Sequence, residues 1–139
     1  MNIMSMDKIF GIAGSALNAQ MVRLNASASN IANAGSTASS EIDAYKAKRP
    51  IFETVLSEQQ NNLGGVRVTS LVDDQAVHGQ IHDPGNPNAD ENGIVYLSNV
   101  NEVGEMVEMM AAARSYQNNV EVINTARQLM LRTLEITKI

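Results

Sequence analysis

The chain has neither cysteine nor tryptophan among its 139 residues, and each absence closes a route. Without cysteine there is no disulfide, no thiolate nucleophile and no cysteine-based zinc site, although the compartment stays open. Aromatics are scarce as well: Phe10, Tyr45, Phe52, Tyr96 and Tyr116 are the whole set. A core must then be built from Met, Leu, Ile, Val and Ala on narrow helical seams, which suits a thin helical bundle better than a thick globule. Net positive charge is missing too, since the formal net charge is −5. The one local basic cluster, Lys46, Lys48 and Arg49, reads as solvated surface. Nucleic acid is therefore not an expected partner, because phosphate binding is driven by Lys and Arg. No stretch approaches the ~20 apolar residues of a membrane helix. Glycine-rich phosphate loops, nucleophile elbows and supported carboxylate pairs do not occur, so catalysis has no visible carrier, and neither a cofactor nor a small-molecule substrate is expected.

What is present is the composition of an ordinary folded protein, 44% hydrophobic and 18% charged. Lys8, the apolar run from Ile9 to Leu17 and small residues near Ala19 imitate a secretory signal. A helical 3,4 spacing nevertheless continues through Phe10, Gly14, Leu17, Met21, Leu24, Ala28 and Ile31, and cleavage near Ala19 would cut that seam, so none is expected.

All three prolines (Pro50, Pro84, Pro87) and six of nine glycines fall between Gly35 and Gly93, which leaves both ends of the chain free to be helices. The first helix is predicted to start near Ser5, with Asp7 in its first turn, and to stop near Asn33 with Gly35 as a left-handed cap. Residues 1 to 34 carry only Asp7, Lys8 and Arg23, whereas the face away from the seam holds Asn18, Gln20, Asn25, Ser27, Ser29, Asn30 and Asn33. Uncharged polar groups tolerate contact with neighbouring protein far better than Lys or Glu, so this face is a candidate subunit interface. The last helix is predicted from Asn99 to Asn101 onward, with Glu102, Glu105 and Glu108 early and Arg127, Arg132 and Lys138 late, as the helix dipole favours. Its expected seam is Met106, Met109, Ala113, Tyr116, Val120, Ile123, Met130 and Leu134, interrupted only by Arg127. The seam of the first helix is the one long partner available to it, so the two ends should pair.

Between them, Ser36 to Ser40 reads as a flexible polar linker and Tyr45 to Val55, broken by Pro50, as an extended arm. A polar stretch around Gln59 and Asn61 reads as exposed. Gly64-Gly65 introduces an alternating strand with Val66, Val68 and Leu71, and Asn92-Gly93 makes a turn before a second strand, Ile94 to Leu97. The central loop, with Asp83, Pro84, Pro87, Asp90 and Gly93, tests two metal readings. His78 and His82 stand four apart, but Gly79 and Pro84 argue against the helix that would bring them to one metal. Asn88, Asp90, Asn92 and Gly93 mimic the start of a calcium loop, yet its twelfth position is Asn99 instead of a bidentate Glu. Turn chemistry with Asx side chains on local backbone is the expectation, with no metal. The fold class is thus mainly α with a small β part. Three units are expected: an N-terminal helix in 1–35, an extended or β middle in 36–98, and a C-terminal helix in 99–139, the helices paired as a coiled-coil-like hairpin.

These residues carry a resemblance. ALNAQ over 16–20, Arg23-Leu24 and ASNIANA over 28–34 resemble the N-terminal signature of the bacterial flagellar axial proteins, the rod, hook and hook-associated family. Residues 83–101 (DPGNPNADENGIVYLSNVN), followed by Glu105-Met106-Val107, look like a hallmark of one proximal rod subunit of the basal body. Tyr45-Lys46 and Pro50-Ile-Phe52 match its central segment. The resemblance implies a structural rod subunit and not an enzyme. It implies export through the flagellar type III apparatus without a cleaved signal, and polymerisation with itself and sister rod proteins into the shaft that crosses the periplasm and transmits torque to hook and filament. Rotor and bushing rings are further neighbours it implies. The alternatives are the sister proximal rod subunit, or a soluble helical-hairpin adaptor or secretion chaperone.

Overall fold

The computed structural model describes residues 3–55 and 64–136. In chain order these form α1 (Ile3–Ala32), β1 (Thr37–Ala38), β2 (Lys48–Thr54), β3 (Val66–Asp73), β4 (Gln80–His82), β5 (Ile94–Leu97) and α2 (Glu102–Ile136). The architecture is mainly α, with a few antiparallel strands in the middle. The polar stretch around Gln59 and Asn61 and the last residues, Lys138 among them, lie outside the described residues.

Helix α1 reaches back to Ile3, so Asp7 falls outside the first turn. Its end is not closed by a left-handed glycine, since Gly93 is the one positive-φ glycine among the described residues. The last turn tightens instead, with the Ala34 N–H donating to Ile31 and the Ser36 N–H to Asn33. The Asn33 side chain covers the Ser29 carbonyl at 2.8 Å, which satisfies the orphan groups of a helix end without a glycine. At the start of α2, Asn101 is the cap: its Oδ1 accepts the Gly104 N–H at 3.0 Å. Glu102 and Glu105 occupy the first turn, but no basic residue lies in the last described one.

The helices run antiparallel. Arg23 pairs with Glu108, Asn30 bonds Glu105, and Met6 shares a groove with Val122 and Leu129, so numbers rise on one helix as they fall on the other. Burial on α2 follows Glu105, Met109, Ala112, Tyr116, Asn119, Ile123, Ala126 and Met130, spaced alternately four and three, and Glu105, Ala112 and Ala126 are the fully buried members. Three of the eight expected seam residues, Met106, Ala113 and Val120, are displaced by one, their places taken by Glu105, Ala112 and Asn119. Met106 and Leu134 are exposed, and Arg127 is no interruption because Ala126 holds its place. The same displacement occurs on α1, where Met6, Ala13 and Ser27 are buried and Met21 is exposed, while Phe10, Leu17, Leu24 and Ile31 are half-buried. Small side chains in the inner row let the two backbones approach, and the longer Met and Leu chains are left on the flanks.

The middle is more ordered than a linker and an arm. Strand β1 lies within the segment expected to be flexible and pairs with β5, matching Thr37 with Leu97. A three-stranded sheet in the order β1-β5-β4 results, with Val95 buried at its centre. The expected arm contains β2, which forms a separate antiparallel ribbon with β3, from Lys48 opposite Asp73 to Thr54 opposite Val66, with a shift of register between Ile51 and Phe52. Pro50 is tolerated because a two-stranded ribbon consists of edges. The ribbon leans on α1 near Ser15, whose hydroxyl accepts the Val66 N–H at 3.1 Å. A Cβ on Gly65 would sit 1.9 Å from that oxygen, so glycine is required for this approach.

Candidate functional site

The densest polar cluster joins α1, the middle and α2 at one end of the helix pair. Asn30 is completely buried, and every hydrogen-bonding position of its side chain is used. Nδ2 donates to the Lys48 carbonyl at 3.0 Å and to Glu105 Oε2 at 3.1 Å. Oδ1 accepts the Lys48 N–H at 2.7 Å and the Tyr45 hydroxyl at 3.1 Å. Asn30 was expected at the subunit interface; it is instead an internal pin, mimicking a neighbouring strand for the backbone of Lys48. Asn99 acts the same way from the far side. Its Oδ1 accepts the Ala47 N–H at 2.7 Å, and its Nδ2 donates to the carbonyls of Asp74 and Ala76, each at 3.0 Å. The segment 45–49 is thereby clamped between the end of α1 and the entry to α2.

Arg49 completes the joint. Its Nη1 donates to Glu105 Oε1 at 2.6 Å and its Nε to Asp74 Oδ2 at 3.1 Å. Glu105 is only 1% exposed, a buried carboxylate made tolerable by a guanidinium on one oxygen and an amide on the other. Burial alone would lower the Arg49 pKa; the bonds to Asp74 and Glu105 outweigh it and hold the guanidinium above its ordinary value. The Asp74 carboxyl is held below its ordinary 3.8, first by the Ala76 N–H and then by Arg49. Arg49 is therefore part of an internal network, not of the solvated cluster the sequence suggests, and Lys48 pairs with Asp73. The adjacent cleft is lined by Arg23, Lys48, Arg49, Glu105 and Glu108, and the partners of these charges are one another or Asp73 and Asp74.

The central loop closes the β4–β5 hairpin by turn chemistry. Asp90 Oδ1 accepts the N–H groups of Asn92 and Ile94, each at 2.8 Å, and Asn86 Oδ1 that of Asn88 at 3.0 Å. The Asp83 N–H donates to the Gly93 carbonyl, and Gly93 turns with φ of 74°. Pro84 and Pro87 are both exposed, and Pro84 stands on the Gly93 side of this turn, 3.0 Å from where a Cβ there would lie. Asn88 reaches across to Thr37, tying the loop to β1. His78 is buried and donates from Nδ1 to the Leu97 carbonyl at 2.7 Å, while His82 is exposed on β4. Among the described residues no group of three metal-ligating side chains comes together.

The other expected interface residues are placed differently from Asn30. Asn18, Asn25 and Ser29 are exposed and Asn33 half-buried, and the Ser29 hydroxyl lies 3.3 Å from that of Tyr45. Sequence reasoning missed Glu105, Arg49, Asn99 and Asp74 as one network. The available signal was a Glu lying in phase with Met109 and Ala112, on the face that the pairing buries.

Two family profiles match this chain. "Flagella basal body rod protein" matches residues 10–38, and "Flagellar basal body rod FlgEFG protein C-terminal" matches residues 91–136. Over 133 residues the chain is 48% identical to the flagellar basal-body rod protein FlgC of Salmonella typhimurium, covering 96% of this chain and 98% of the relative. The chain belongs to the flagellar basal-body rod protein FlgC family. The FlgC of Yersinia enterocolitica is 50% identical over the same coverage, and that of Buchnera aphidicola from Acyrthosiphon pisum is 42% identical over 137 residues. The two profile matches hold the two sides of the joint: Asn30 lies in the first, Asn99 and Glu105 in the second.

Proposed function

We propose that this FlgC-family chain is a structural subunit of the flagellar basal-body rod, polymerising with copies of itself and with sister rod proteins into the shaft that transmits torque to hook and filament. The supporting observation is what the helix pair leaves uncovered. After pairing, Ile9, Ile12 and Met21 on α1 and Met106, Met110 and Leu129 on α2 remain exposed. Large apolar side chains along both partners of a thin hairpin are what a subunit needs if its neighbours complete its core. The pairing itself is coiled-coil-like, given the alternation of four and three in its buried row. The middle, clamped by Asn30 and Asn99, would ride as a fixed attachment on the helical pair, so that load passes between them through hydrogen bonds and ion pairs. On this reading the subunit is exported through the type III apparatus without a cleaved signal, crosses the periplasm in the rod, and meets rotor and bushing rings as outer neighbours. Deleting the gene and purifying basal bodies tests the proposal. Loss of swimming and of complete rods, both restored by the tagged chain and with the tag recovered in basal bodies, is the expected result. Normal swimming in the deletion strain would overturn it.

A further inference from the structure

The turn that joins β4 to β5 contains Asn92-Gly93, the one Asn-Gly pair in the sequence. An asparagine amide is open to attack by the backbone nitrogen of the residue that follows it, and glycine, with no Cβ, obstructs that nitrogen least. Asn92 is exposed, so water reaches it freely. Its protection comes from Gly93. The Gly93 N–H donates to the Asp90 carbonyl at 2.9 Å, and the Gly93 carbonyl accepts the Asp83 N–H at 2.8 Å. Gly93 is buried with φ of 74°, and a Cβ on it would meet His82 and Pro84 at 3.0 Å each. On either side, Asp90 Oδ1 holds the N–H groups of Asn92 and Ile94. Bringing the Gly93 nitrogen onto the Asn92 side chain requires the peptide between them to rotate. That rotation breaks the bond to Asp90 and moves a buried residue out of its place.

We infer that Asn92 is a modification site gated by folding: its amide is lost in the unfolded chain and kept in the folded one. In the reaction the Gly93 nitrogen gives up its proton to hydroxide, bonds to Asn92 Cγ and expels ammonia, which leaves a five-membered succinimide. Water then adds to one of the two ring carbonyls and opens the ring to aspartate or isoaspartate. No oxidant or reductant takes part. Isoaspartate routes the main chain through the former side chain and lengthens it by a methylene, so the bonds that close this turn no longer align. The turn sets the pairing of β5, the central strand of its sheet, where Val95 is buried. A chain held unfolded thus loses the means to close its middle, whereas a folded chain is spared. The inference is independent of the rod reading.

The purified chain is to be held in mildly alkaline buffer with and without concentrated urea, and the fragment containing Asn92 followed by mass spectrometry, with isoaspartate measured enzymatically. Conversion should be more than about tenfold slower in native buffer, where it is limited by the fraction of chains locally open. Asp90→Ala, which removes the acceptor of two N–H groups and leaves the Asn-Gly pair intact, should convert faster than the unsubstituted chain in native buffer and at the same rate in urea. Equal rates for the unsubstituted chain with and without urea would overturn the gating, whether or not the variant folds. Absence of conversion in urea would overturn the site. Asp90→Ala that is folded by circular dichroism yet converts as slowly as the unsubstituted chain would overturn the part given to the turn. After dilution from urea, slow amide exchange in β5 should return in unconverted chains and not in those carrying isoaspartate; its return in both would overturn the consequence for folding.

Discussion

The two ends of the α1–α2 pair solve the same problem in opposite ways. At the joint end, three polar side chains, Asn30, Asn99 and Glu105, are saturated with partners drawn from both helices and the middle, and the geometry is fixed by direction-dependent bonds. At the far end the contact is apolar and incomplete, with Ile9, Val122 and Leu129 still partly open to water. Hydrogen bonds specify an arrangement because an unmade one is costly; apolar surface is indifferent to angle and accepts whatever covers it. The subunit thus fixes its register at the joint, where Met106 and Met110 stay exposed outside the pair, and leaves the pair itself incomplete at the far end.

The comparison is broken most severely at Asn30. Replacing it with Leu strands the Lys48 backbone groups and one oxygen of Glu105 in a buried site, and should cost about 3–5 kcal/mol in urea unfolding of the purified chain. Asn25→Leu, on the exposed face of the same helix, should stay within about 0.5 kcal/mol. Next in size is Ile123→Glu, which sets a charge against the partner helix and should cost about 2–4 kcal/mol. Met106→Glu, outside the pair, should leave unfolding within about 0.5 kcal/mol while still abolishing swimming, because its damage falls on the neighbour. Equal stability losses for the two would return Met106 to the inner row. Ala112→Leu sharpens the same point: overpacking a fully buried alanine should cost about 1–3 kcal/mol, whereas the row expected from sequence would leave Ala112 outside the seam.

The smallest effect is electrostatic. The Asp74 pKa is lowered in the folded chain, so its contribution is complete above the ordinary 3.8 and is lost as pH falls through the lowered value. Asp74→Asn should flatten that acid limb of the stability profile and change stability at pH 7 by less than about 1 kcal/mol. A steeper acid limb in the variant would contradict the assignment.

Much of this molecule is legible in its sequence for identifiable reasons. Crowding of Pro and Gly between Gly35 and Gly93 leaves two long helices, Gly64-Gly65 and Asn92-Gly93 announce β3 and β5, and Asp90 behaves as an Asx turn residue should. The inner rows were misplaced because periodicity weighs large apolar side chains. Close helix contact selects small ones, so Ala13, Ala112 and Ala126 went inside and Met21 and Met106 outside. The joint is hidden for a different reason: Asn30, Arg49, Asp74, Asn99 and Glu105 are scattered along the chain, and only the phase of Glu105 with Met109 and Ala112 marks a carboxylate as buried. Strand β1 reads as a linker because its partner β5 lies far along the chain, and β2 as an arm because Pro50 interrupts its run.

Amide exchange on a verified monomer tests the asymmetry of the two ends most directly. The account predicts slow exchange around the joint, in residues 26–32, 46–49 and 105–112, and fast exchange at the open end, in residues 6–13 and 122–134, where apolar cover awaits a neighbour. Uniform protection along both helices of the monomer, or slower exchange at the open end than at the joint, would contradict it.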